Sequence, residues 1–233
     1  MKKFLSLTAA AGLTAALGAG VAEAKGQQKV TFEVTITNES TLDMIPGAPA
    51  GGQIPLSPGV WAVTRGADNP LFEVGEPASA GIEDVAEDGM PSVLAAEATS
   101  INRVTDSAVL PDPLGPILAT QSYTFTVTAS PGERLHLATM FVQSNDYFFA
   151  DADGIRLFHG NTPVDGDVTS AINLYDAGTE VDEAPGLGDF QVLTQPSLDS
   201  GPAENGVVAP ARADGFDLPA DEDVIRVTVT PVG

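Results

Sequence analysis

Five or more segments of this chain alternate apolar or β-branched residues with polar ones at a period of two, and that pattern leaves few folds open. VTFEVTITN (Val30–Asn38) and QSYTFTVTA (121–129) are the cleanest examples. Side chains of a strand point alternately to its two faces, so each segment reads as a strand with one buried and one wet face. VWAVTR (60–65), RLHLATMFVQ (134–143), IRLF (155–158) and DVIRVTVTPV (223–232) read as further strands. SPGE (130–133) reads as a turn, and its position predicts that the strands on either side pair as a hairpin. Helical periodicity is confined to two short pieces. In PASAGIEDVAEDG (77–89), Ile82, Val85 and Ala86 share a face and Gly89 is placed to stop the helix. Pro91 followed by SVLAAEAT reads as the second, with the proline near its first turn. Strands outnumbering helices in this way predict an all-β fold: an antiparallel β-sandwich with one or two short helices in its connections.

Two apolar runs, LATMFV and INLY, end in acidic sequence. The first breaks at Ser144-Asn145-Asp146 and the second at Asp176-Ala-Gly-Thr-Glu180-Val-Asp182. A strand that leaves the core into carboxylates can deliver ligands to a loop. Gly178 can take positive φ at little cost, which lets the chain curl between Asp176 and Glu180. Clustered hard oxygen donors suit Ca²⁺, which takes 6 to 8 of them. On spacing alone a second reading stands beside this one, in which the carboxylates are solvated turn residues.

SNDYF, followed about thirty residues later by LYDAGTE, resembles the spondin domain, the N-terminal module of the F-spondins that also occurs alone in secreted bacterial proteins. The similarity extends upstream through PLFEVGEPASAGIEDVAEDG (70–89) and downstream to VIRVTVTPV. The resemblance implies a C2-like β-sandwich over residues 25–233 with one bound Ca²⁺. It also implies that Asp146, Asp176 and Glu180 hold the ion, Glu180 standing where animal spondins carry Asp. Those domains have disulfides, whereas this chain has no cysteine.

The start of the chain reads as a secretory signal peptide over residues 1–24. Lys2 and Lys3 precede an apolar, alanine-rich stretch, and Ala22-Glu23-Ala24 is an A-x-A-like cleavage site. Its loss would remove two of the 10 Lys and Arg and one of the 32 Asp and Glu, moving the net charge from −22 to −23. The expected location is therefore secreted or periplasmic. No later segment approaches the 18 or more apolar residues of a membrane span. So acidic a chain excludes electrostatic nucleic-acid binding, which needs Lys and Arg at the phosphates. Without cysteine and with only two histidines, thiolate and His-based metal sites are excluded as well, which leaves oxygen chemistry.

Nothing in the sequence matches a G-x-S-x-G, H-E-x-x-H or P-loop pattern. His136, flanked by Leu135 and Leu137, and His159, in the turn HGNTP, read as structural or surface residues. Asp151-Ala-Asp153-Gly154 lacks the Glu of an EF-hand and reads as a turn, with either aspartate placed to act as an outer ligand. Glu83, Asp84, Glu87 and Asp88 read as a solvated helix face. The expectation is a non-enzymatic calcium-binding module that meets an extracellular glycan, matrix or lipid surface. A structural secreted protein with a purely stabilising ion, and a carboxylate-based glycan-active enzyme, are the alternatives.

Overall fold

The computed structural model describes residues 29–111 and 115–232. The signal segment 1–24 lies outside the described residues. Within them the alternating segments are strands. They are β1 (Val30–Asn38), β2 (Val60–Arg65), β3 (Val104–Val109), β4 (Ser122–Ala129), β5 (Glu133–Met140), β6 (Tyr147–Ala150) and β7 (Ile155–Arg156). They continue as β8 (Phe158–His159), β9 (Thr162–Pro163), β10 (Gly166–Asp167), β11 (Asn173–Asp176), β12 (Ala209–Pro210) and β13 (Ile225–Val232). Two helices, α1 (Ala80–Asp88) and α2 (Ser92–Ser100), fall between β2 and β3.

Every strand pair is antiparallel. One sheet runs β10-β13-β1-β4; the other runs β12-β11-β6-β5-β2-β3, with β7 also on β5, and β8 pairs with β9 alone. The two large sheets face each other. Phe32, Val34 and Ile36 of β1 and Val227 and Val229 of β13 meet Trp61 and Val63 of β2 and Leu135 and Leu137 of β5 in one core. Trp61 stacks on Phe125 of β4 at 5.5 Å between ring centroids. The fold is the all-β sandwich that the period-2 pattern predicts.

A third layer adds to it. Val60, Ala62, Ala138 and Phe148, on the outer face of the larger sheet, are covered by Ile82 and Val85 of α1 and Leu94 and Ala98 of α2. The helices therefore lie across a sheet face, not beside or at an end of the sandwich. Both faces of β5 and β6 are covered, so these strands are buried almost throughout where β1 and β4 alternate. At the start of α1 the Ser79 hydroxyl accepts the Ile82 N–H. Gly89, at φ 66°, donates to the Val85 carbonyl while Met90 donates to Asp84, a glycine-terminated helix end.

Three expectations need correction. β4 and β5 do not form a hairpin: β4 is the edge strand beside β1, while β5 lies between β2 and β6 in the other sheet. The turn at 130–133, with Gly132 at φ 93° and the Glu133 N–H on the Ser130 carbonyl, carries the chain from one layer to the other. β5 is buried on both faces, between the sandwich core and the helices, whereas β4 is exposed on one. Second, residues 106–115, with LPDPLG, read as a turn region, yet 106–109 belong to β3, a mostly exposed edge strand whose TDS core lacks an apolar signature. Third, the acidic face of α1 is not wholly solvated, because Glu87 is buried.

Candidate metal centre

Asp146 immediately precedes β6 and Asp176 ends β11, and the antiparallel register sets Asp176 opposite Tyr147. Neighbouring strand ends thus bring two carboxylates 30 residues apart to one end of the larger sheet. A tight turn aims the first. The Ser144 hydroxyl donates to the Phe141 carbonyl at 2.7 Å and accepts the Tyr147 N–H at 2.9 Å. The Asp146 carbonyl in turn accepts the Ala177 N–H at 3.1 Å.

The loop after β11 closes over this point. Asp176 Oδ1 accepts the Gly178 N–H at 2.7 Å, and Gly178 sits at φ 68°, the positive value expected from its place in the sequence. The turn then directs the N–H groups of Thr179 and Glu180 at Asp146 Oδ2, at 2.9 and 3.1 Å. Asp146 Oδ1 remains enclosed without a hydrogen-bond partner. Asp182 completes the group: one carboxylate oxygen each from Asp146, Asp176 and Asp182 lie within 4.8 Å of one another. The Tyr147 hydroxyl donates to Asp214 at 2.9 Å and to Asp182 at 3.3 Å, so Asp214 stands behind them.

Asp146 is fully buried and Asp176 nearly so. Burial is the main force holding Asp146 well above the usual carboxylate range, against the hydrogen bonds from Glu180 and Thr179. For Asp176, burial and then the Asp146 charge act in the same direction. Burial and the Asp214 charge push Asp182 up to about 6. Carboxylates so placed demand either protons or a cation. No Lys or Arg occurs in residues 66–102 or 157–211, the stretches that supply most of this acidic surface. Three converging carboxylates, one of which also carries an unpaired enclosed oxygen, fit the oxygen-donor preference of Ca²⁺.

Of the three residues carried over from the spondin resemblance, Asp146 and Asp176 come together. The Glu180 carboxylate does not join them. Its Oε1 accepts the Gly201 N–H at 2.7 Å, and its backbone N–H, not its side chain, serves Asp146. Asp182 takes the third place. It stands in the same DAGTEVD run, so its acidic character was legible but its direction was not. Asp214, 32 residues further along a loop, has no sequence signal tying it to the site. Asp151 lies elsewhere: its carboxylate accepts from His136 Nδ1 at 2.8 Å and from the Leu137 N–H at 2.8 Å. His136 Nε2 contacts the Thr64 hydroxyl at 3.0 Å, and all three residues are buried. His159 is exposed on β8.

Among the described residues, no helix is long and apolar enough to cross a membrane. No protein-family model matches the chain, and no curated protein matches it.

Proposed function

We propose that this chain is a secreted calcium-binding β-sandwich module that meets an extracellular glycan, matrix or lipid surface. The reading rests on the unpaired, fully buried Asp146 Oδ1 in the group it forms with Asp176 and Asp182. Modules of this kind bind calcium at about 10⁻⁴ to 10⁻³ M, a range filled outside cells. At roughly tenfold excess over Kd, linkage stabilises the fold by about 1.4 kcal/mol, or about 3–6 °C in Tm for a chain of this size. Thermal unfolding with Ca²⁺ and with EGTA tests this: Asp176→Asn should abolish the shift, and Asp165→Asn, on the exposed surface, should keep it. No shift in the wild type would overturn the reading.

The depth of Asp146 and Asp176 favours a second reading, in which the ion serves stability alone. Glycan arrays and liposomes read with Ca²⁺ and with EGTA separate the two. Binding lost in EGTA supports the module; a melting shift with no binding in either condition supports the structural ion. Export itself is checked by mass spectrometry of the secreted protein, whose N-terminus should be Lys25.

A further inference from the structure

The chain sets 32 acidic residues against only six arginines, and three of those arginines are paired. Arg65 meets Glu133, Arg212 meets Asp221, and Arg226 meets Glu39 and Asp167. Among the described residues Arg103, Arg134 and Arg156 form an ion pair with none of the carboxylates. Arg134 and Arg156 line one cavity and Arg103 lines a second, and Asp153 lines both. The unpaired half of the arginines is thus gathered in one groove of a strongly acidic protein.

The strands hold them there. β5 and β7 pair so that Arg134 and Arg156 stand directly opposite each other. Like charges so placed destabilise a sheet, and a guanidinium keeps its charge at any ordinary pH. Arg134 Nη1 donates to the Asp153 carbonyl, and its stem lies over Gly154, where a Cβ would meet Arg134 Cδ at 2.8 Å. Arg103 Nη2 donates to the Asn69 carbonyl at 3.1 Å, while its Nε is enclosed with no hydrogen-bond partner. Backbone carbonyls therefore aim two of these guanidinium forks without cancelling their charge. The cavity of Arg134 and Arg156 also takes in His159 and Ser170 and measures about 400 Å³. That of Arg103 takes in Asp68 and Glu73 and measures about 620 Å³. Both fall in the size range of small-ligand sites. Donors suited to an anion thus alternate along the groove with carboxylates suited to hydroxyl groups. An apolar ligand would leave the charges unmatched, and a bare polyanion would meet the carboxylates.

We infer that the groove across Asp153 binds an acidic oligosaccharide. Arg103, Arg134 and Arg156 hold its carboxylate or sulfate groups through paired N–H donors, and Asp153 accepts from its hydroxyls. The inference rests on the glycan-binding reading above and names the glycan, but it needs no ion. Arg134 lies near the start of β5, whereas Met140, six residues on, pairs with Phe148, two residues after Asp146. At about 3.3 Å per residue, roughly 20 Å of strand separates the arginine pair from the metal group.

Isothermal titration of the full-length protein in EGTA, at about 0.15 M salt to screen its net charge, tests this with three probes. They are a galacturonate trimer, its methyl ester, and a sulfated galactose trimer. The acid trimer should bind, and its ester, the same sugar without charge, at least about tenfold more weakly. Arg156→Gln and Arg103→Gln should each weaken the acid trimer by about tenfold or more. Arg156 is exposed, so that variant stays readable even if Arg103→Gln does not fold. Arg65→Gln, which removes the same charge outside both cavities, and Asp176→Asn should bind as the wild type does. A sulfated trimer as tight as the acid supports a site that reads any anionic sugar, and a weaker one supports a carboxylate site. An ester as tight as the acid, or arginine variants that bind like the wild type, overturns the inference. Binding that appears only with Ca²⁺ and is lost in Asp176→Asn assigns the glycan to the metal group, overturning this site and supporting the first. No binding in any condition overturns this site, while the calcium-dependent melting shift judges the other separately.

Discussion

Asp146 accepts the backbone N–H of Thr179 at 2.9 Å, across 33 residues of sequence, and that bond fastens the start of β6 to the loop after β11. Its two oxygens differ: Oδ2 holds the loop and Oδ1 is enclosed without a hydrogen-bond partner. Substitutions at Asp146 should separate these roles. Asp146→Asn keeps an acceptor for the loop and removes the charge, so it should lose the Ca²⁺-dependent Tm shift with little change in EGTA. Asp146→Ala leaves the Thr179 and Glu180 N–H groups without their acceptor. Denaturant unfolding in EGTA should place it about 2 kcal/mol or more below Asp146→Asn.

Gly178 should be the least replaceable residue of the loop. At φ 68° an L side chain is strained, and a Cβ there would meet the Val207 nitrogen at 2.7 Å. Gly178→Ala should cost about 2 kcal/mol and raise the Kd for Ca²⁺ severalfold, because the turn that orients Asp176 opens. Urea unfolding and calcium titration measure the two effects separately.

The pH dependence has a definite sign. Burial first, and neighbouring charge second, hold Asp146 and Asp176 above their ordinary range and Asp182 at about 6. Burial likewise raises Glu87 to about 7. The folded protein then binds more protons than the unfolded chain between about pH 4, the ordinary carboxylate value, and the raised folded values. Stability without calcium is therefore full near pH 4 and falls as pH rises through neutrality. In EGTA, Tm should drop between pH 5 and pH 8, and saturating Ca²⁺ should flatten that drop. Calcium binding at pH 6 should release protons, which calorimetry in buffers of different ionisation enthalpy detects; a Tm in EGTA that rises over this range would refute the assignment.

The buried Thr64–His136–Asp151 chain should matter for stability alone. Removing the imidazole leaves a cavity and strips the Asp151 carboxylate of its 2.8 Å partner. His136→Ala should destabilise by about 3 kcal/mol and leave the calcium-dependent part of Tm unchanged. A lost calcium shift would join this network to the ion, contrary to its position in the fold.

The features legible from neighbouring residues alone are local ones. Alternation set the strand identities of β1, β4 and β13, and the Ser79 and Gly89 caps set the ends of α1, because side-chain direction and capping depend on a few neighbouring residues. DAGTE announced a turn, since Gly178 alone could take its backbone angle. Which strands became neighbours was decided by tertiary structure. The same SPGE turn that could close a hairpin instead changes layers, because β5 must be covered on both faces. The site followed the same division. Asp146 and Asp176 could be read from strands that run out into acid, whereas the turning of the Glu180 carboxylate onto the Gly201 N–H and of Asp182 toward them depended on how the loop packs. Glu87 looked solvated because a helical repeat gives the spacing of a face but not what lies over it. A loop more than a hundred residues away in sequence covers it, and long-range burial of that kind is settled only when the layers close.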